Sequence, residues 1–312
     1  MTVLITGATG LIGQEIVKQC HAQDINVHYL TTSKSKLSTE ANYKGFYWNP
    51  NNNEIDHNCF KDVSAIINLV GASISKRWTK SYKKEILESR TKTAQLLQET
   101  LKAHNYQIEH VVSASAIGIY PSSLTNYYEE DTNEISDSFL GKVVLEWEAA
   151  VDGFKNLGCK VSKVRIGLVL AKDGGALPEI VKPIKFGAGA AFGDGKQWQS
   201  WIHIQDLAAI FMHVLQYQLE GIYNGVAPNA VTNNELTKMA ASVLQRPLIL
   251  PNIPKFMMKL VLGEMYILLF ESQRVSSQKI ENKGFEFTYA NLRPALEGLL
   301  IEAKKLTISK DK

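Results

Sequence analysis

The chain has 312 residues, 45% of them hydrophobic and 21% charged, with a formal net charge of +3. This is the composition of an ordinary water-soluble globular protein with room for one large domain and a smaller one, and so small a charge, with no basic patch, argues against nucleic acid as a partner. The three cysteines, Cys20, Cys59 and Cys159, lie far apart and outside any C-x-x-C or Cys/His spacing, which predicts reduced, structural thiols and no metal site.

An apolar strand begins at Thr2 and leaves no room before it for a secretory leader, so the expected compartment is the cytoplasm. Thr2–Ile5 runs into the turn Thr6-Gly7-Ala8-Thr9-Gly10-Leu11-Ile12-Gly13, and Gln14–Ala22 continues as a helix. Val27–Thr31, Gly45–Trp48 and Ala65–Val70 read as the next three strands. A long helical segment from Trp78 to His104 precedes a strand at Glu109–Ser113. A helix around Phe139–Asn156 and a strand at Lys160–Leu170 follow. This alternation predicts an α/β fold, a Rossmann doubly wound parallel sheet with right-handed crossovers, carrying a smaller, mostly helical carboxyl-terminal substrate-side domain.

After Ala171 the glycines of Gly174-Gly175 and of Phe186–Gly195 supply turns. Trp201–Leu207 returns to the main domain, Asp206 starts a helix to Tyr217, and Gly221–Gly225 is a further short strand. From Thr232 the segments are mostly helical and end in a charged tail at Lys312. The expected division is 1–170 with 200–230 for the dinucleotide-binding domain, and 171–199 with 231–312 for the smaller one. The most apolar stretch, Phe256–Phe270, is broken by Lys259, Gly263 and Glu264 and is too short for the roughly 30 Å of a bilayer core. No membrane partner is expected. A buried helix is the simplest expectation for it, with a lid over an apolar substrate or a dimer face as the alternative.

The glycine turn carries the first chemical inference. Glycines at this spacing, after a strand and before a helix, allow a tight turn, close backbone approach to a pyrophosphate and close packing of helix on strand. The helix that follows offers free N–H groups and its positive dipole end to phosphate. Gly7, Thr9, Gly10, Leu11, Ile12 and Gly13 are therefore candidate cofactor residues. An acid at the end of the second strand would hold a ribose 2′-hydroxyl and repel a 2′-phosphate. Here the residues are Thr31, Thr32, Ser33, Lys34, Ser35 and Lys36. Hydroxyls and ammonium groups favour NADP(H), with NAD(H) as the alternative.

With these residues the sequence resembles the extended short-chain dehydrogenase/reductase superfamily, in its atypical branch of epimerase family, or NAD-dependent epimerase/dehydratase-like, proteins. The resemblance spans nearly the whole chain through Asn68-Leu69-Val70-Gly71-Ala72, Arg77-Trp78-Thr79, Glu88-Ser89-Arg90, Trp147-Glu148, Gly174-Gly175-Ala176-Leu177, Ser200–Leu207 and Asn224–Pro228. The tail, with Leu262-Gly263-Glu264, Ser272–Val275 and Gly284–Phe287, is similar to the small carboxyl-terminal domain of unknown function that accompanies this branch. The resemblance implies that Leu69, Val70 and Gly71 pack beside the cofactor and that Glu85, Arg90 and Leu168 touch it. Many members carry an arginine where this chain has Thr32, so Lys34 or Lys36 would have to hold the 2′-phosphate.

Typical members of the superfamily exchange protons through Tyr-x-x-x-Lys, where the ammonium lowers the phenol pKa, while a serine polarises the substrate oxygen. No tyrosine of this chain has a lysine four residues later. The equivalent helix starts Ser138-Phe139-Leu140-Gly141-Lys142, retaining Lys142, and Ser113 and Ser115 lie where the polarising serine belongs. Tyr120 is the best substitute for the missing phenol, with Glu85 and His203 behind it. His203, between Ile202 and Ile204, reads more simply as a structural hydrogen bonder, and Arg165 and Arg274 suit either an anionic substrate or salt bridges. Two functions are consistent with this pattern. One is an NADP(H)-dependent oxidoreductase or epimerase-like enzyme acting on a small polar substrate in a cleft between the domains. The other is a catalytically silent NADP(H)-binding sensor or regulator. A homodimer is the expected assembly.

Overall fold

The computed structural model describes residues 1–301, and the charged tail expected to end at Lys312 lies outside the described residues. The chain divides into two compact units. The first comprises Met1–Ile119, Ser136–Arg165 and Ala208–Tyr223. Its strands are Thr2–Thr6 (β1), Asn26–Thr31 (β2), Tyr43–Asn49 (β3), Ala65–Asn68 (β4), His110–Ala116 (β5) and Lys160–Ile166 (β6). They lie in the order β3-β2-β1-β4-β5-β6, with Gly221–Gly225 beside β6. The pairs β1–β2, β1–β4, β2–β3 and β4–β5 are parallel. The order reverses at β1, which places the glycine turn at the switch point where such sheets bind ligands.

Sequence explains the layers. Val3, Leu4, Ile5, Ile66, Ile67, Val111 and Val112 are fully buried, because a parallel sheet covered on both faces takes continuous rather than alternating apolar runs. The helices Leu11–Ala22 (α1), Lys80–Ala103 (α2) and Phe139–Asp152 (α3) belong to this unit. The helix expected from Trp78 starts two residues later, because the Thr79 side chain accepts a hydrogen bond from the Tyr82 N–H at 3.1 Å and caps it. All three cysteines are free and buried. Burial pushes the Cys20 thiol up to about 12, so it is inert at neutral pH.

The second unit comprises Tyr120–Ile135, Ile166–Leu207 and the chain from Asn224 onward. The single strand expected over Lys160–Leu170 is two. The chain changes partners at Gly167, whose N–H bonds the Gly225 carbonyl at 3.1 Å while the Leu168 N–H bonds the Ser200 carbonyl at 2.8 Å, and a side chain at Gly167 would meet that Ser200 oxygen. Beyond it Leu168–Ala171 (β7) pairs with Trp201–His203 (β8) in a separate small sheet. Leu177–Lys185 (α4), Asn233–Val243 (α6) and Leu292–Leu300 (α8) pack a core around Trp201, Leu236, Ala240 and Leu296. Ile204–Gln216 (α5) follows β8 directly. The Thr232 and Glu235 side chains cap the start of α6 reciprocally.

The expectation of a buried helix in Phe256–Phe270 is corrected. Lys255–Leu262 (α7) contains no buried residue, and Phe256, Leu260 and Val261 are exposed. An apolar run alone does not distinguish a core helix from an uncovered one. Among the described residues no helix is long and apolar enough to cross a membrane.

Two buried imidazoles couple this fold to pH. In β5 the His110 Nε2 lies 2.7 Å from Ser162 Oγ. The Ser162 hydroxyl donates to the Leu219 carbonyl, so Nε2–H donates to the serine. Burial, then Lys160, lowers the His110 pKa to about 4, and burial lowers that of His203 to about 4. Both groups bind protons more readily when unfolded. Their contribution to stability is therefore complete above an unfolded pKa of about 6.5 and is lost as pH falls toward the folded value. The urea midpoint is expected to drop between pH 7 and pH 5, and His110→Gln to flatten that slope. A midpoint independent of pH over this range would contradict it.

Candidate functional site

The turn after β1 is built for close backbone approach. Gly7 holds a left-handed φ of 73°. Its carbonyl accepts the Gly10 N–H at 2.9 Å, and a Cβ on Gly13 would lie 2.2 Å from the Gly7 oxygen. At the start of α1 no side chain caps the helix and no acid occupies the first turn, so its positive end is left for an anion. The turn opens on a cavity of about 660 Å³.

The cavity wall gathers eight of the expected cofactor residues: Gly7 and Thr9 from the turn, Thr31, Thr32 and Ser33 from the end of β2, Val70 and Gly71 after β4, and Glu85 on α2. It also takes in residues that sequence reasoning missed. These include Trp48 near the end of β3, Pro50 and Asn51 just after it, and Ser81, Lys84, Glu88 and Ser89 along one face of α2. The spacing of Ser81, Lys84, Glu85, Glu88 and Ser89, three or four apart, was the available signal for the second group. Gly10, Leu11, Ile12 and Gly13 form the turn and helix start and do not line the wall. Lys36 lines the cavity, whereas the Lys34 ammonium lies 5.0 Å from the centre of the Tyr47 ring.

Behind this wall the loop after β4 is fixed in place. Thr6 Oγ1 donates to Asn68 Oδ1 at 2.7 Å and accepts the Leu69 N–H at 3.0 Å, while Asn68 Nδ2 donates to Ser113 Oγ at 3.1 Å. Leu69 thus sits beside the turn, with its backbone 3.3 Å from where a Gly7 side chain would be. Arg90 reaches the same loop from α2. Its guanidinium donates to the Ala72 carbonyl at 3.2 Å and the Ile86 carbonyl at 2.7 Å and lies over Trp147. Burial lowers its pKa to about 10, leaving it charged at neutral pH. Arg90 therefore positions Gly71 and Ala72, while Glu88 on the same helix pairs with Lys84 and Lys92.

The catalytic candidates are placed differently. Ser113 is fully buried and donates to the Ala114 carbonyl at 3.0 Å. Ser115 is buried and donates to Glu148 Oε1 at 2.5 Å. Glu148 is also gripped by Arg165, at 2.8 Å from Nε and 3.0 Å from the terminal nitrogen. Arg165 is thus tied into a buried ion pair. Ser138 caps α3 by accepting the Gly141 N–H at 3.1 Å, and Lys142 on the same helix is exposed. In the second unit Tyr120 is fully buried, donates to Asn224 Oδ1 at 2.8 Å and stacks on Tyr128. Its phenol faces protein, which weighs against the proton-donor role expected of it. His203 accepts the Gln205 N–H at 3.2 Å and stacks on Tyr289, the structural role. Arg274 lies against the rings of Tyr127 and Trp198. Leu168 is half-buried in β7. Among the described residues no group of three or more His, Cys, Asp or Glu is arranged to hold a metal ion.

Comparison with known proteins agrees with this architecture. The pattern of the NAD dependent epimerase/dehydratase family matches residues 3–225, and that of a domain of unknown function, DUF1731, matches residues 253–299. Epimerase family protein SSP1921 of Staphylococcus saprophyticus is 36% identical over 95% of this chain and 98% of its own. The crystal structure of human epimerase family protein SDR39U1 (isoform2) with NADPH superposes with a TM-score of 0.82 at 28% identity, covering 96% of this chain and 99% of that one. A nucleoside-diphosphate sugar epimerase from Corynebacterium glutamicum gives 0.74 at 27% identity over 99% of this chain and 61% of its own. The chain accordingly belongs to the NAD dependent epimerase/dehydratase family, with the carboxyl-terminal DUF1731 domain appended.

Proposed function

We propose that the chain binds NADP(H) in the cavity beside the glycine turn and acts as an oxidoreductase or epimerase-like enzyme on a small polar substrate. The observation that carries this reading is the wall itself: Gly7 and Thr9 at one part of it, and Thr32, Ser33 and Lys36, with no carboxylate, at the end of β2. The uncapped start of α1 suits the pyrophosphate. Thr32, Ser33 and Lys36 would hold the 2′-phosphate through two hydroxyls and one ammonium, a weaker grip than an arginine fork. The NADPH in the human relative's crystal structure supports the same choice. NAD(H) would bind the same wall without the 2′-phosphate contacts.

Bound there, the nicotinamide supplies a hydride donor or acceptor. The chain's own part is to orient it through the turn and the loop held by Thr6 and Arg90. Proton handling differs from the usual tyrosine mechanism, since Tyr120 is committed to Asn224 and Ser115 to Glu148. These same commitments favour a second reading, a protein that binds NADP(H) without turning it over. Stereospecifically deuterated NADPH incubated with a panel of carbonyl metabolites separates the two: label transfer is the expected result, and tight binding with no transfer across the panel would leave the second reading standing.

Cofactor choice gives a further prediction. Lys36→Ala is expected to weaken NADPH about tenfold, about 1.4 kcal/mol, and to leave NADH unchanged. Thr32→Arg is expected to tighten NADPH selectively. Fluorescence titration of both nucleotides checks this, and equal losses for NADPH and NADH in Lys36→Ala would contradict it.

A further inference from the structure

The uncovered helix α7 has an ordered surface. Residues four apart share a side of a helix, which sorts its eight residues into rows. Met258 and Leu262 are half-buried. Phe256 and Leu260 form the next row, 72% and 83% exposed, and Met257 and Val261 another, 48% and 67% exposed. Lys255 and Lys259 make up the last, both ammonium groups lying over the Tyr266 ring. The segment leading into α7 adds Ile249, 75% exposed, and Leu250. Monomeric proteins rarely leave so continuous an apolar surface uncovered without a use for it.

Charge identifies what the surface meets. Helix α7 itself carries Lys255 and Lys259 and no acidic residue, Glu264 lying just beyond its end. A self-complementary contact of this helix between two copies would bring its lysines together with no acid on the helix to answer them. An anionic surface with an apolar interior answers both properties at once, since lysines meet headgroups while phenylalanine and leucine enter the acyl boundary. We propose that α7 is a peripheral contact for an anionic lipid bilayer. The contact lies in the plane of the membrane and differs from a span, and it is independent of the cofactor reading.

The full chain, with and without NADPH, would be sedimented with vesicles of phosphatidylglycerol and phosphatidylcholine in equal parts, and with phosphatidylcholine alone. Binding to the anionic vesicles only, falling as salt rises, is expected. Phe256→Ser with Leu260→Ser, and separately Lys255→Glu with Lys259→Glu, are each expected to cut it about tenfold. Because these side chains are exposed, an unchanged melting temperature checks that the variants fold. The proposal is overturned if the native chain ignores anionic vesicles at low salt, or if both double variants bind as the native chain does. It is likewise overturned if sedimentation velocity shows a dimer that Leu260→Ser dissociates while vesicles are not bound.

Discussion

Gly13→Ala is expected to remove measurable NADPH binding and to cost on the order of 3 kcal/mol of stability, the upper range for an overpacked site. The added methyl would stand 2.2 Å from the Gly7 carbonyl oxygen and 2.7 Å from the Ala8 Cα. Both neighbours are backbone, so neither can swing aside as a flexible side chain would. Relief requires the turn to open, and an open turn no longer offers its N–H groups as a set. Gly10→Ala is the internal control. Its methyl would meet only the Gly7 oxygen, at 3.2 Å, and a shift of a few tenths of an ångström suffices. Urea unfolding and NADPH titration on both variants check the contrast, and a Gly13→Ala protein that binds like Gly10→Ala would refute the packing argument.

The second large effect is expected at the buried pair in the first unit. Arg165→Met should destabilise the protein by about 3 to 5 kcal/mol, because it strands the Glu148 carboxylate in the interior. Ser115 still donates to that carboxylate, but the nearest remaining cation, Lys163, lies 3.9 Å away and is already bonded to Asp152 at 2.8 Å. Glu148→Leu combined with Arg165→Met should recover most of the loss, since an apolar pair of similar volume removes both charges together. A double-mutant cycle by denaturant unfolding measures the coupling. Additive losses in the double variant would mean that the two side chains act independently.

How far the sequence reveals the molecule depends on the range of the interaction. The alternation of strands and helices and the glycine turn were legible, because the apolar run of Thr2–Thr6 and the spacing from Gly7 to Gly13 carry their own local reasons. Capping by Thr79 and Ser138 is equally local. Other features depend on residues that only folding brings together. The partners of Ser113 and Ser115 are Asn68 and Glu148, so nothing beside either serine shows that it is buried and engaged. Trp48 and Pro50 reach the cavity only because β3 lies beside β2. The break at Gly167 depends on Gly225 and Ser200, both distant in sequence, which take the hydrogen bonds of Gly167 and Leu168 in turn. The exposure of α7 was hidden because composition shows that a segment is apolar and not whether anything covers it.

The central claim is that the cavity beside the glycine turn holds NADP(H), and its most direct test is a fluorescence titration of the purified protein with NADPH and NADH. Saturable binding of NADPH, at least about tenfold tighter than NADH, is the predicted result. No saturable binding of either nucleotide, in a protein shown to be folded, would contradict the account.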